Sequence, residues 1–374
     1  MIQPKAFIET LRAGGVEFFA GVPDSLLKNL CAYITDTVAR GNNIIAANEG
    51  NAMALAAGYH LATGKVGCVY MQNSGEGNIV NPLLSLVDED VYHIPMLLII
   101  GWRGEPGVHD EPQHVKQGKV TLSLLDTMGV HYAVLDESWE EQVQQAIENI
   151  HKTNGVYALI VRKGTFDEYI LRSKSTTSLP LSREEAIKIV VDKLREDDIV
   201  VSTTGMISRE LFEYREAKGQ GHSADFLTVG SMGHASQIAL GIALQKSERR
   251  VFVFDGDGAM LMHMGGMAII GDYCPKNLVH IVFNNGAHDS VGGQPTVGQK
   301  IDVEAIAKAV GYTDVVSVDN EMALCCAMNH INNADMEGTS FINVNVRKGN
   351  RKDLGRPTTT PVENKQALME NLAK

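Results

Sequence analysis

This chain of 374 residues predicts an α/β protein made of two doubly wound, largely parallel-sheet domains. Three observations carry that prediction. Short apolar, β-branched runs alternate with segments of helical period, as in buried parallel strands joined by helices. The alternation breaks once, at LRSKSTTSLPLSREEA (171–186), whose Ser, Thr, Lys and Pro content reads as a linker, and then resumes at DIVVST (198–203). The length is comfortable for two domains and long for one core. The expected division is therefore a first domain over 1–170, the linker over 171–186, and a second domain over 187–374.

In the first half the strand candidates are FFAG (18–21), NIIAAN (43–48), VGCVYMQ (66–72), MLLIIG (96–101) and YALIVR (157–162). Valine, isoleucine and aromatic residues suit a pleated surface buried on both faces. Helical period marks Asn51 to Ala62 and Trp139 to Lys152, and MIQPKAFIETLRAGG at the start reads as a short amphipathic helix. In the second half the candidates are DIVVST, RRVFVF (249–254), LVHIVF (278–283) and FINVNV (341–346). VRKG occurs at 161–164 and again at 346–349, each time closing an apolar strand. Chance recurrence and a common origin of the two halves are both open on this observation.

Composition narrows the function classes. Apolar residues make up 44% and charged residues 21%, as in a globular protein. The net charge of -12 argues against a nucleic-acid-binding surface and leaves the substrate undetermined. Cys31, Cys68, Cys274, Cys325 and Cys326 contain no CxxC pair, so buried thiols in a reducing, cytoplasmic setting are expected, with no disulfide or zinc framework. The N-terminus has no secretory h-region, and no apolar run approaches the roughly 20 residues that span a bilayer. Neither a membrane nor a nucleic acid is an expected partner.

The most informative stretch is VFVFDGDGAMLMHMGGMAIIGDYCPKNLVHIVFNNGAHDS (251–290), where two apolar runs each stop at a tight polar turn. One ends in Asp255-Gly256-Asp257-Gly258, the other in Asn284-Asn285-Gly286, with 25 residues between Gly258 and Asn284. Ligands of open parallel sheets bind beyond the carboxyl ends of strands, so neighbouring strands would bring Asp257 and Asn285 together. A carboxylate, an amide oxygen and a carbonyl are hard ligands for Mg²⁺ or Ca²⁺, and phosphate oxygens commonly complete a sparse Mg²⁺ shell. Gly256 and Gly258 leave room for a phosphate to approach the backbone. A dinucleotide fingerprint fails because Leu261 stands where its third glycine belongs, and the Walker phosphate loop is absent.

This GDG–NN pattern resembles the cofactor motif of the thiamine-diphosphate-dependent, pyruvate decarboxylase-like enzymes. The resemblance implies the thiamine-diphosphate-binding fold, with a pyrimidine-binding first domain and a diphosphate-binding second one. It implies Mg²⁺ held by Asp257, Asn285 and the backbone carbonyl of Ala287, with Ala259 in the cofactor-binding turn. IIAANEGNAMALAAGYHLATGK (44–65) places Glu49 where the family's glutamate meets the aminopyrimidine ring and promotes formation of the thiazolium ylide. An acid at a helix start is also favoured by the macrodipole alone. In LTVGSMGHASQIALGIAL (227–244), Gly230, Ser231 and Met232 match the segment that wedges the cofactor into its bent form. Thr203, Thr204 and Gly205 of VVSTTGMISREL are placed to donate to the diphosphate at a helix start. QNSGEGN (72–78) is expected beside the pyrimidine.

Larger family members carry a middle domain that this chain lacks, and the compact plan resembles the phosphonopyruvate and sulfopyruvate decarboxylases. The resemblance implies a homodimer or higher homo-oligomer with active sites between subunits. The expected substrate is 3-phosphonopyruvate, decarboxylated non-oxidatively to phosphonoacetaldehyde, an intermediate towards 2-aminoethylphosphonate. Sulfopyruvate is the nearest alternative, and a non-catalytic cofactor-binding subunit a distant one. Candidate substrate residues are Asp24 and Ser25 in GVPDSLL (21–27), and Arg103, His109, Gln113 and His114 in WRGEPGVHDEPQHVKQG (102–118), read as a long polar loop. Ser290 in GAHDSVGGQPT (286–296) completes the set, with Gln294 and Thr296 as further donors. The basic segment VRKGNRKDLGRPTTTP (346–361) reads as a solvated face, with Arg356 the member expected to anchor it.

Overall fold

A computed structural model describes residues 1–172 and 178–374; Ser173 to Thr177, inside the expected linker, lie outside the described residues. The chain divides into two compact units, Met1–Lys174 with Val291–Gln294, and Ser175–Ser290 with Pro295–Lys374.

The first unit is built on a six-stranded sheet: β1 (Phe18–Gly21), β2 (Asn43–Ile45), β3 (Gly67–Gln72), β4 (Met96–Gly101), β5 (His131–Val134) and β6 (Val156–Val161). Every pairing is parallel and the order is β2-β1-β3-β4-β6-β5. The second unit repeats this with β7 (Ile199–Ser202), β8 (Asp225–Leu227), β9 (Val251–Gly256), β10 (Leu278–Asn284), β11 (Asp314–Val318) and β12 (Ser340–Asn345). Its order, β8-β7-β9-β10-β12-β11, is the same permutation, again all parallel. VRKG occupies equivalent places, since Val161 ends β6 and Val346 follows β12.

Burial on both faces explains the apolar runs. Side chains alternate across a strand, so in β4 Leu97 and Leu159's neighbour Ile99 enter one core while Met96, Leu98 and Ile100 enter the other. In the second unit Phe252 and Phe254 line one core, Val251 and Val253 the opposite one. Each such side chain contributes roughly 1.5–3 kcal/mol by leaving water. The strands that sequence pattern missed are the short β5, β8 and β11, all at or next to the sheet margins. β5 and β11 are largely half-exposed, so no continuous apolar run marks them. NIIAAN contributes only Asn43–Ile45 as strand.

Helices cover both faces. Pro4–Ala13 buries Phe7, Ile8 and Leu11, as its amphipathic pattern requires. Two expectations need correction. The helix Arg183–Lys193 begins inside the 171–186 segment, because Ser182 and Glu185 form a reciprocal capping box. The supposed loop 102–118 becomes helix from Pro112 onwards, and Pro112–Thr127 carries Gln113 and His114; Pro at a first helical position is pre-organised for it. All five cysteines are free, with Cys31 and Cys68 buried and Cys326 exposed. Among the described residues no helix is long and apolar enough to cross a membrane.

Candidate active site

In each sheet the chain leaves the first strand for one side and returns to the other. The carboxyl ends of β1 and β3, and of β7 and β9, therefore flank crevices where ligands of such sheets bind. The residues singled out by sequence sit beyond the carboxyl ends of strands in these two sheets, after β1, β2 and β4 in the first unit and after β7, β8, β9 and β10 in the second.

In the second unit Asp257 opens a short helix directly after β9, and its carboxylate is buried. Burial pushes its pKa up to about 6, against hydrogen bonds from the Thr296 hydroxyl and the Asn285 backbone. Asn285, next after β10, is also buried; its Oδ1 accepts the Ala287 N–H at 3.0 Å and its Nδ2 donates to Asp289 Oδ2 at 2.7 Å. Its neighbour Asn284 braces the turn by donating to the Gly298 carbonyl at 2.8 Å.

Met232 lies on the loop after β8, between Ser231 (φ 51) and Gly233 (φ 85). A Cβ on Gly258 would lie 2.9 Å from His288 Cε1 and 3.4 Å from Met232 Cε, so the absent side chain is what admits both residues to the turn. Burial lowers the His288 pKa to about 4, leaving a neutral imidazole there. After β7, Thr204 Oγ1 donates to the Val229 carbonyl at 2.8 Å and ties this turn to the Met232 loop. Thr203 Oγ1 is buried with no hydrogen-bond partner among the described residues. Gly205 (φ 97) precedes the helix Met206–Ala217, and Ser290 Oγ faces it, 3.9 Å from where a Cβ would stand.

In the first unit Glu49 begins the helix Glu49–Thr63, capped by the Asn48 side chain. Its carboxylate is buried and accepts from Asn78 Nδ2 at 2.6 Å. A Cβ on Gly75 would stand 2.4 Å from Glu49 Oε1, so only glycine lets the turn after β3 close over the carboxylate. The adjacent Glu76 is buried too, and desolvation raises its pKa to about 8. Asn73 joins this turn to the next one, accepting the Arg103 N–H at 3.1 Å and donating to the Arg103 carbonyl at 2.8 Å.

Among the substrate candidates, Asp24, Ser25 and Arg103 converge. Arg103 donates to Ser25 Oγ at 2.8 Å, and buried Asp24, its pKa raised by desolvation to about 6, lies against Gly101. Arg103 is not a free cation, because Asp110 pairs with it through both carboxylate oxygens. His114 is buried, and desolvation with the nearby Arg103 charge lowers its pKa to about 4; Gln113 lies beside it. His109 is exposed and does not join the cluster. The basic tail is anchored by Arg347 to Glu185 and by Arg351 to Glu184 and Glu213, in place of a freely solvated face.

Sequence reasoning missed Asn78, Glu76, Asp110, His288 and Asp289 as members of these turns. QNSGEGN, the 102–118 stretch and GAHDSVGGQPT marked their neighbourhoods.

The donor set can be tested against a cation and a diphosphate. Among the described residues no three His, Cys, Asp or Glu side chains converge as a metal cage. One carboxylate with amide and carbonyl oxygens is instead the sparse set suited to Mg²⁺ completed by phosphate and water. The unpartnered, buried Thr203 hydroxyl can donate to a phosphate oxygen, whereas the space beside Gly258 is taken by His288 and Met232.

Comparison with known proteins agrees. Residues 4–126 match the N-terminal, and 203–344 the C-terminal, TPP binding domain of the thiamine pyrophosphate (thiamine diphosphate) enzymes. The chain therefore belongs to the thiamine-diphosphate-dependent 2-oxo acid decarboxylases. It is 34% identical to a phosphonopyruvate decarboxylase of Streptomyces viridochromogenes, over 97% of this chain and 93% of that one. The phosphonopyruvate decarboxylase of Streptomyces hygroscopicus is likewise 34% identical, over 97% and 92%. A sulfopyruvate decarboxylase of Methanosarcina acetivorans is 28% identical, over 92% and 91%.

Proposed function

We propose that this enzyme decarboxylates 3-phosphonopyruvate to phosphonoacetaldehyde and CO2, using thiamine diphosphate and Mg²⁺. The observation that carries this reading is the near full-length likeness to the two Streptomyces enzymes. The domain assignment is pyrimidine-binding over 1–170 and diphosphate-binding over 187–374. The assembly is a homodimer or higher homo-oligomer, in which Glu49 of one subunit serves the metal turn of its partner, and the setting is cytoplasmic.

When bound, thiamine diphosphate supplies a nucleophilic carbon for the 2-oxo group and an electron sink for the pair released with CO2. The chain's residues do the rest. Asp257, Asn285 and the Ala287 carbonyl hold Mg²⁺. Thr203, Thr204, Gly205, Gly256, Gly258 and Ala259 line the diphosphate. Gly230 and Ser231 hold the loop from which Met232 would contact the cofactor. The Glu49 carboxyl, steadied by Asn78, would hold the proton that the pyrimidine end of the cofactor needs. Ser25 and Arg103 bind the substrate's anionic end, with Asp110 sharing the guanidinium, and Asp24, Gln113 and His114 complete the first unit's set, from which exposed His109 is left out; Ser290 is the second unit's candidate substrate contact. Buried His114, neutral at physiological pH, reads as a hydrogen-bonding group rather than a second cation.

Sulfopyruvate is the competing substrate, favoured by the Methanosarcina relative. A phosphonate can carry two charges and a sulfonate one, so the two are separable by turnover. With thiamine diphosphate and Mg²⁺ present, kcat/KM for phosphonopyruvate is expected to exceed that for sulfopyruvate and pyruvate by about a hundredfold, or ~2.7 kcal/mol. Preference for sulfopyruvate would overturn the substrate assignment and leave the cofactor chemistry standing. Release of no aldehyde from any of the three would overturn the whole reading.

A further inference from the structure

We infer that Asp289 is a positioning residue that sets which end of the Asn285 amide faces the metal. The inference rests on the proposed role of Asn285 as a ligand. An amide side chain is a nearly symmetric fork, and only its oxygen can bind a cation; the NH2 end would repel one. Something must therefore choose the orientation.

The partners of Asn285 make that choice from both ends. Asp289 Oδ2 stands 2.7 Å from one arm of the amide, and an ionised carboxylate accepts but cannot donate. That arm must be the nitrogen, since the reverse would set two oxygens against each other. The other arm meets the Ala287 backbone N–H at 3.0 Å, which can face only an oxygen. The amide oxygen is left with its second lone pair for a cation.

Asp289 is itself held. The same Oδ2 accepts the Gly349 N–H at 2.8 Å and lies 3.5 Å from an Arg183 guanidinium nitrogen. Arg183 is fixed by a buried, two-pronged pair with Glu210, at 2.8 and 2.9 Å. Orientation at the ligand is thus inherited from three separate elements: the helix starting at Arg183, the helix carrying Glu210, and the turn after β12. Partners of this kind behind a ligand are typically worth about 10–100-fold in metal affinity.

The test reads metal binding without turnover. Mn²⁺ is titrated into protein with thiamine diphosphate, and free Mn²⁺ is followed by electron paramagnetic resonance. Asp289→Ala is expected to weaken Mn²⁺ by at least about tenfold while the melting temperature of the cofactor-free protein stays unchanged. Asp289→Asn, whose own amide oxygen the Gly349 N–H would orient towards Asn285, should stay within about threefold of the unaltered protein. A second pair of variants holds if either single variant folds poorly. In Asn285→Asp the ligand has two equivalent oxygens and needs no orienting, so adding Asp289→Ala should not weaken Mn²⁺ and should relieve charge repulsion. Unchanged affinity in Asp289→Ala, or equal losses from Asp289→Ala in both backgrounds, would overturn the inference. Asp257→Ala is the separating control: if it too leaves Mn²⁺ affinity unaltered, the metal assignment itself fails.

Discussion

The two sheets share one strand order and differ in what stands beyond their carboxyl ends. After the first strand of each, Asp24 and Ser25 in one unit correspond to Thr203 and Thr204 in the other. After the second strand, Glu49 corresponds to the Met232 loop; after the third, Gly75-Glu76 to Gly256-Asp257-Gly258; after the fourth, Arg103 to Asn285. One crevice is lined by buried carboxyls and a guanidinium, the other by glycine turns, hydroxyls, the Asp257 carboxylate and the Asn285 amide, with the Asp289 carboxylate behind that amide. Topology decides where a site lies, and short turn sequences decide its chemistry. The repeated VRKG at equivalent strand ends adds to the likeness of the two halves.

The comparison breaks most sharply at Glu49 and Asp257. Glu49→Gln should lower kcat by about 10²–10⁴-fold while thiamine diphosphate and Mg²⁺ still raise the melting temperature. Asp257→Ala should do the converse in binding, abolishing the Mg²⁺-dependent rise in melting temperature. If both variants lose cofactor-induced stabilisation equally, the division of labour between the two crevices is wrong.

A second difference is in pH response. Asp257 must lose its proton to bind a cation, and its raised pKa of about 6 sets the window. Mg²⁺ affinity, measured by calorimetry, should be flat above pH 7 and fall about tenfold per unit below pH 6.

Glu76 gives a smaller and opposite signature in the first unit. Its folded pKa of about 8 exceeds the ordinary value of 4.5, so the folded state keeps a proton that the unfolded chain loses. Its contribution is therefore most favourable below pH 4.5 and is lost as pH rises to about 8. Glu76→Gln removes that titration and should gain about 1–3 kcal/mol relative to the unaltered protein between pH 5 and pH 8, read by denaturant unfolding. An equal pH profile for the two proteins would show that Glu76 ionises normally.

The smallest effect is expected at Ser231, held at φ 51 beside Met232. Ser231→Gly should relieve about 1 kcal/mol of backbone strain and raise the melting temperature slightly. A fall would mean that the serine side chain, not its backbone, stabilises the loop.

Much of this was legible without coordinates, and for a physical reason. Parallel strands buried on both faces must be apolar runs, so β4, β9 and β10 announce themselves. The turns after β9 and β10 carry glycine, acid and amide at a fixed spacing, so Asp257 and Asn285 stood out as well, whereas Glu49 was singled out only through the family resemblance. Marginal strands such as β5 and β11 did not, because half-exposed positions carry no continuous pattern. The 102–118 stretch misled because its polar residues resemble a loop until Pro112 starts a helix.

By itself the sequence determined the fold class, the two-sheet plan and the residue types that can hold a diphosphate and a metal. These depend on local periodicity and on turns a few residues long. Only tertiary structure decided that Asp110 neutralises Arg103, that Asn78 and Gly75 close on Glu49, and that Asp289, backed by Arg183 and Glu210, orients Asn285. Some join residues far apart in the chain, as Asn78 with Glu49 and Arg183 with Asp289, while Arg103–Asp110 and Asn285–Asp289 are near in sequence and set by how their turns fold. No local pattern encodes them, because their energy depends on burial and on partners that only folding brings within hydrogen-bond reach.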